Sequence, residues 1–285
     1  MPESTRKSLA RRRAQFTGEC LDAARQGIGR GKTLGLDECT PTQQQFRALF
    51  ALGFFNTSRT ESTAAKWGIH YLSAYTITIS PRWDRFVLIA EAPDNVTNYV
   101  ARSQSSLSWF PGIRLEARYG YGSFVLRHLP TQTNLVITDN RSGKTLGKEG
   151  TCTRRSWIDL PLDDRDEDLL AGIPRWSRDA QKLLAGLAAR ISLRDPDGKW
   201  AIGQCFWDPL QRRKFDDRPR GDDRRLVGEG DSWTLEWDGY PYQDDLFAAL
   251  THPESGISGV GFEIHENVCK IFLGSASLTI RGPRP

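Results

Sequence analysis

The stretch Ile257 to Gly274, ISGVGFEIHENVCKIFLG, decides the fold. With Glu266 and Asn267 as the turn, Ile264 faces Cys269, Phe262 faces Ile271 and Val260 faces Leu273 on one side. Glu263 then faces Lys270 on the other. Successive strand side chains point to opposite faces, so a slip of one residue would scramble the apolar face and the charge pair together. The segment reads as an antiparallel hairpin with one face turned to a core.

Outward from this hairpin the same alternation marks DSWTLEWDG, where Trp233, Leu235 and Trp237 share a face, and KWAIGQCFW from Lys199, with a polar loop over about 211–225 between them. One helix is expected from Gln243 through Leu246, Phe247 and Leu250. Another starts at the N-cap residue Ser177, with Leu183, Leu184, Leu187 and Ile191 on one side. Further upstream Tyr75 to Ser80 alternates, Pro81 to Asp84 turns, and RFVLIAEA returns as a strand apolar on both faces. A short helix is expected after Asp94, then strands RLEARY and SFVLRH around Gly120 and Gly122. NLVIT leads into the turn-rich DNRSGK, which favours one more hairpin.

The order strand, helix, hairpin therefore occurs twice: RFVLIAEA, the Asp94 helix and the RLEARY/SFVLRH hairpin, then SWTLEWDG, the Gln243 helix and the terminal hairpin. Gly112-Ile113 and Gly256-Ile257 introduce the two hairpins. This points to an internal duplication.

The first seventy residues carry helical signals. Leu9, Phe16, Cys20 and Ala24 form a thin stripe from Thr5 to about Arg25, which Gly27, Gly29 and Gly31 stop. Thr40, Pro41 and Gln43 make a T-x-x-Q capping box for a helix with Phe46, Leu49, Phe50 and Phe54 on one face, and Ser58 and Glu61 open a third helix. The chain thus reads as α+β: a helical segment over 1–72, a β-rich unit over 73–153, a charged linker over 154–176 that holds the acidic run Asp163 to Asp168, and a helix with a second β-rich unit over 177–285.

At 285 residues with 38% hydrophobic content the chain can bury a sizeable core. No apolar run reaches the roughly 18–20 residues of a membrane helix, and the start is charged, so a soluble cytoplasmic chain without a membrane partner is expected. Five dispersed cysteines suit reduced thiols. The net charge is only +4, but Arg outnumbers Lys strongly and the excess lies near the N-terminus.

Catalytic templates fail one after another. GIGRGKT at Gly27 to Thr33 has Gln26 where a phosphate loop needs its first glycine, and it follows a helix rather than a strand. His70, His128, His252 and His265 show no metal-ligand spacing, and no serine or cysteine sits in a nucleophile motif. No cofactor and no metal site is assigned. Glu263 and His265 share a strand face, but the register already engages Glu263 with Lys270. What remains is electrostatic. Arg11, Arg12 and Arg13, one turn beyond Arg6 and Lys7, form the densest basic patch, and Arg114, Arg118, Tyr119 and Tyr121 mix cations and aromatics as base-stacking surfaces do. The helices at Thr40 and Ser58 could form a helix-turn-helix, though the second has few base-reading side chains.

The stretches RRRAQFTGECLDAARQ and TPTQQQFRALF resemble the start of uncharacterised, streptomycete-type actinobacterial proteins associated with mobile elements. The resemblance covers about 50 residues and implies no activity. The expected function is a non-enzymatic binding protein contacting DNA, RNA or a protein partner. Two other classes stay open: a metal-dependent phosphodiester hydrolase built from dispersed carboxylates such as Asp197, Glu236 and Asp238, and a self-associating structural protein using its aromatic sheet faces.

Overall fold

The computed structural model describes residues 4–57, 63–69, 72, 75–101, 109–120, 122–145, 149–150, 160–194, 202, 224–238, 241–265 and 268–284. Two β-sheets enclose helices, and the class is α+β. The first sheet has the order β1-β2-β5-β4-β3-β6, from β1 (Thr76–Pro81), β2 (Arg85–Ala90), β3 (Ile113–Tyr119), β4 (Ser123–His128), β5 (Thr133–Thr138) and β6 (Glu149–Gly150). The second has the order β7-β8-β11-β10-β9, from β7 (Arg225–Glu229), β8 (Ser232–Glu236), β9 (Gly261–His265), β10 (Val268–Leu273) and β11 (Ala276–Arg281).

These two orders are the same order. Strands β1 to β5 map one for one onto β7 to β11, and in each sheet the second and fifth strands of the unit run parallel while their neighbours run antiparallel. The helix α4 (Pro93–Val100) after β2 corresponds to α7 (Gln243–Thr251) after β8. The helix α3 (Pro41–Phe54) before β1 corresponds to α6 (Arg178–Ala188) before β7. The duplication thus extends from one helix-plus-hairpin motif to an α-β-β-α-β-β-β unit. The glycine markers do not match within it: Gly112 directly precedes β3, whereas Gly256 lies ahead of β9 in a loop.

Local chemistry accounts for these elements. Thr40 Oγ1 accepts from the Gln43 amide at 3.2 Å and Ser177 Oγ from the Ala180 amide at 3.0 Å, each satisfying a first-turn donor. The return half of the capping box is not made: the Thr40 amide donates to the Trp83 carbonyl at 3.0 Å, and the Gln43 side-chain amide is buried without a partner. The N-terminal helix is two helices, α1 (Thr5–Thr17) and α2 (Leu21–Gly27). Gly18 separates them with φ +68°, and the Arg194 guanidinium fills the space a Cβ would need. In β2, Phe86, Leu88 and Ala90 enter the main core while Val87 and Ile89 join a smaller cluster with Ala23 and Val136, so the strand is buried on both faces as its composition predicts.

The predicted hairpin register holds: His265 opposes Val268, Ile264 opposes Cys269, Glu263 opposes Lys270 and Phe262 opposes Ile271. Two other expectations are corrected. DNRSGK does not begin a hairpin with β5, since the next described strand, β6, pairs with the far edge of β3. Within the expected 154–176 linker, the acidic run forms the helix α5 (Asp164–Ala171), capped by Asp163. Most of KWAIGQCFW and of the 211–225 loop, the Ser58/Glu61 box, Glu266 and Asn267 lie outside the described residues, while Arg225 begins the unanticipated strand β7.

The two repeats meet through α3 and α6, and α3 is buried from Phe46 to Phe54 all round. Burying a Phe or Leu fully is worth about 1.5–3 kcal/mol, so this one helix anchors much of the core. The contact is reciprocal at the sheet edges. Just past α3, Asn56 donates to the Leu226 carbonyl at 2.8 Å and accepts the Leu226 amide at 3.2 Å, covering β7. Just past α6, Ser192 Oγ accepts the Ile79 amide at 2.5 Å, covering β1. Among the described residues no helix is long and apolar enough to cross a membrane.

Asn56→Ala strips two backbone groups of their buried partner and is expected to cost about 2–3 kcal/mol in denaturant unfolding. A loss below about 0.5 kcal/mol, the level of a neutral surface substitution, would show that the edge is sealed otherwise.

Candidate nucleic-acid interface

The basic triplet on α1 divides into two kinds of residue. Arg13 is fully buried: Nε donates to Glu19 at 2.6 Å, and its other nitrogens donate to the carbonyls of Gly27, Leu34 and Pro81. It is a cross-link between α1, the loop after α2 and β1, and is not available to a phosphate. Arg11 and Arg12 are exposed, and Arg12 is ion-paired with Glu254.

The first hairpin divides in the same way. Arg114 is 3% exposed and ion-paired with Asp166 at 2.5 Å, so it too is withdrawn from the expected contact set. Asp166 also accepts from Trp109 Nε1 at 2.8 Å and from the Gly112 amide at 3.0 Å. Burial alone would raise the pKa of Asp166, but these donors hold it below the ordinary carboxylate value. Arg118 reaches Asp94 at 3.7 Å and lies over the Phe124 ring. Tyr119 is half-buried on a strand already flanked by β6, and Tyr121 lies outside the described residues.

What the structure brings together is a groove that none of the triplet lines. Ser4, Arg6, Lys7, Arg25 and Gln26 line a cavity of about 350 Å³ between the start of α1 and the end of α2. No lining residue is acidic, and α1 has no carboxylate in its first turn, where the helix dipole places partial positive charge. Arg6 donates to the Arg25 carbonyl at 3.3 Å, and Asp22 reaches Arg25 at 3.5 Å from outside the lining. Gln26 accepts from Arg82 at 2.8 Å. Burial brings Arg82 down to about 10, which leaves it cationic at neutral pH. The next residue, Trp83, is 38% exposed and carries Arg30 4.0 Å above its ring. Residues 1–36 hold eight Lys and Arg against three Asp and Glu, so this end of the chain accounts for the net positive charge.

Other expected sites take structural roles. In the GIGRGKT loop the Glu38 carboxylate accepts from the Arg30 amide at 2.6 Å and from Thr33, so the loop closes on an acid of the chain itself. The second helix of the expected helix-turn-helix opens at Ser58, outside the described residues, and its described part is a short 3-10 turn, Thr63–Trp67, with Ala64, Ala65 and Trp67 buried. His128 is fully buried between Thr131 and the Pro111 carbonyl, and burial presses its pKa to about 3, so the ring is neutral. Glu236 is paired with Arg281 at 3.1 Å, Asp238 is exposed, and Asp197 lies outside the described residues. Among the described residues no three His, Cys, Asp or Glu side chains converge as a metal site.

The sequence signal for the groove was present in Arg6 and Lys7. Arg25 was not joined to them, because the α1–α2 break at Gly18 that folds it back has no periodicity signature. No protein-family model, curated protein or solved structure matches the chain.

Removing one partner of a buried ion pair strands the other charge, so Arg13→Ala and Arg114→Ala are each expected to cost about 3–5 kcal/mol in chemical unfolding. Arg118→Ala is expected to cost less than about 1 kcal/mol. Equal losses at all three positions would contradict the division.

Proposed function

We propose that the protein is a non-enzymatic polyanion-binding protein that contacts nucleic acid through the groove between α1 and α2. The observation that carries this reading is the convergence of Arg6, Lys7 and Arg25 on one cavity with no acidic lining residue, at the N-terminal end of a helix. Phosphate backbones are bound largely by such clustered cations, and each neutralised phosphate releases counterions, so affinity falls with salt. The strip toward Arg82, Trp83 and Arg30 adds a partly exposed indole of the kind on which unpaired bases stack. The proposed contact set is therefore Arg6, Lys7 and Arg25, with the buried Arg13 and Arg114 left out.

Fluorescence anisotropy with single-stranded DNA, RNA and duplex DNA over a salt series tests the proposal. Binding at about 50 mM salt is expected, with the combined Arg6→Ala, Lys7→Ala and Arg25→Ala variant reducing the slope of log affinity against log salt by about 2–3. Lys182→Ala, on α6, is expected to leave it unchanged. Absence of binding at low salt, or a slope unaltered by the triple substitution, would overturn the reading.

A further inference from the structure

The two repeats finish one sheet edge differently. In the first, β3 takes an added antiparallel strand on its outer side, with Arg118 opposite Gly150 and Tyr119 opposite Glu149. In the second, β9 holds the equivalent position, and no described strand lies beyond it. The opposite edges, β1 and β7, are covered by Ser192 and by Asn56. Strand β9 is exposed at every residue, and among the described residues Phe262 at 55% and Ile264 at 58% are the most exposed large apolar side chains.

These two side chains are not stray surface residues. They share the face of Cys269 and Ile271, which are buried, and the Phe262 ring stands edge-on to Phe247 of α7 at 5.3 Å. The apolar layer of the second repeat therefore runs out to the sheet edge and stops in solvent. A free edge of this kind is a template for another strand, since every second residue directs its N–H and C=O outward.

We propose that β9 pairs with β9 of a second copy of this chain, antiparallel about a two-fold axis at Ile264, joining the two second sheets into one. The occupant follows from charge. In that register Ile264 opposes Ile264, and Glu263 of each copy opposes His265 of the other. Within one copy these groups already interact, His265 Nε2 lying 3.3 Å from Glu263 Oε2, so the pairing exchanges two exposed contacts, one in each copy, for two cross-strand ones. Centring the axis on Glu263 instead would set two carboxylates directly opposite one another, which is unfavourable. Phe262 lies diagonal to Ile264 of the second copy, within reach of an aromatic ring. The interface is isologous, so it closes at two copies and leaves no further β9 edge exposed.

Sedimentation velocity of the full chain tests this. A dimer is expected within about 1–100 µM, with Ile264→Lys weakening association by at least about tenfold at an unchanged unfolding midpoint, and Leu160→Lys having no effect. His265→Glu is expected to weaken the dimer, and adding Glu263→His to it to restore association, because the swap returns one acid opposite one imidazole. A monomer at about 100 µM overturns the proposal, and β9 amides protected from exchange in that monomer would show the chain itself covering the edge. A dimer indifferent to Ile264→Lys overturns it equally.

Discussion

A β-sheet has to do something with the backbone groups of its outer strands, and in this protein that requirement shapes how the two repeats are joined. Strand β1 cannot complete its hydrogen bonds within its own repeat, and neither can β7. Each is met by the residues just past the central helix of the other repeat: Ser192 at the Ile79 amide, Asn56 at both backbone groups of Leu226. For these residues to arrive there, α3 and α6 must lie against one another, and their mutual packing is what makes them buried on nearly every side. Edge sealing and core formation are thus one event. A sheet carried by one repeat alone would keep an open edge and an uncovered helix face.

Arginine supplies the second set of constraints. Arg13, Arg47, Arg190 and Arg224 are among the largest fully buried side chains. Arg190 donates bidentately to Asp37, whose pKa it brings down to about 2 against the opposing effect of burial, and also to the carbonyls of Gly186, Ser255 and Gly256. Arg47 donates to the carbonyls of Leu36 and Arg82, and Arg224 to that of Phe54. A planar guanidinium with five donors suits this cross-linking of loop carbonyls better than an ammonium does. The Arg excess therefore has a structural use, and the part of it left on the surface near the N-terminus is what forms the cationic groove.

Much of the fold was legible because it rests on period-two patterns. The Ile264/Cys269 and Glu263/Lys270 register, the two-faced burial of β2 and the Thr40 and Ser177 caps all depend on neighbours within a few residues. The duplication was visible where strand, helix and hairpin recur, but its full extent was not, since β7 begins in a polar, arginine-rich stretch and β6 joins across the sheet. Burial of charge was the least legible. Arg12 and Arg13 are adjacent and identical in type; the step of about 100° per helical residue points them apart, and Glu19, brought beneath Arg13 by the turn at Gly18, pairs the one that faces inward. Asp166 hides among exposed acids for the same reason: its partners Arg114, Trp109 and Gly112 lie more than fifty residues away in sequence.

If the repeats are held as one unit by α3, α6 and their mutually sealed edges, neither sheet should open alone. Native-state hydrogen exchange measured across increasing denaturant addresses this directly, because it reports the opening free energy of each segment separately. The amides of α3, α6, β2 and β11 are expected to converge on one common opening free energy, that of global unfolding. A lower plateau shared by α6, β8 and β11 while α3 and β2 remain protected would mean that the second repeat unfolds independently, and would contradict the interlocked account.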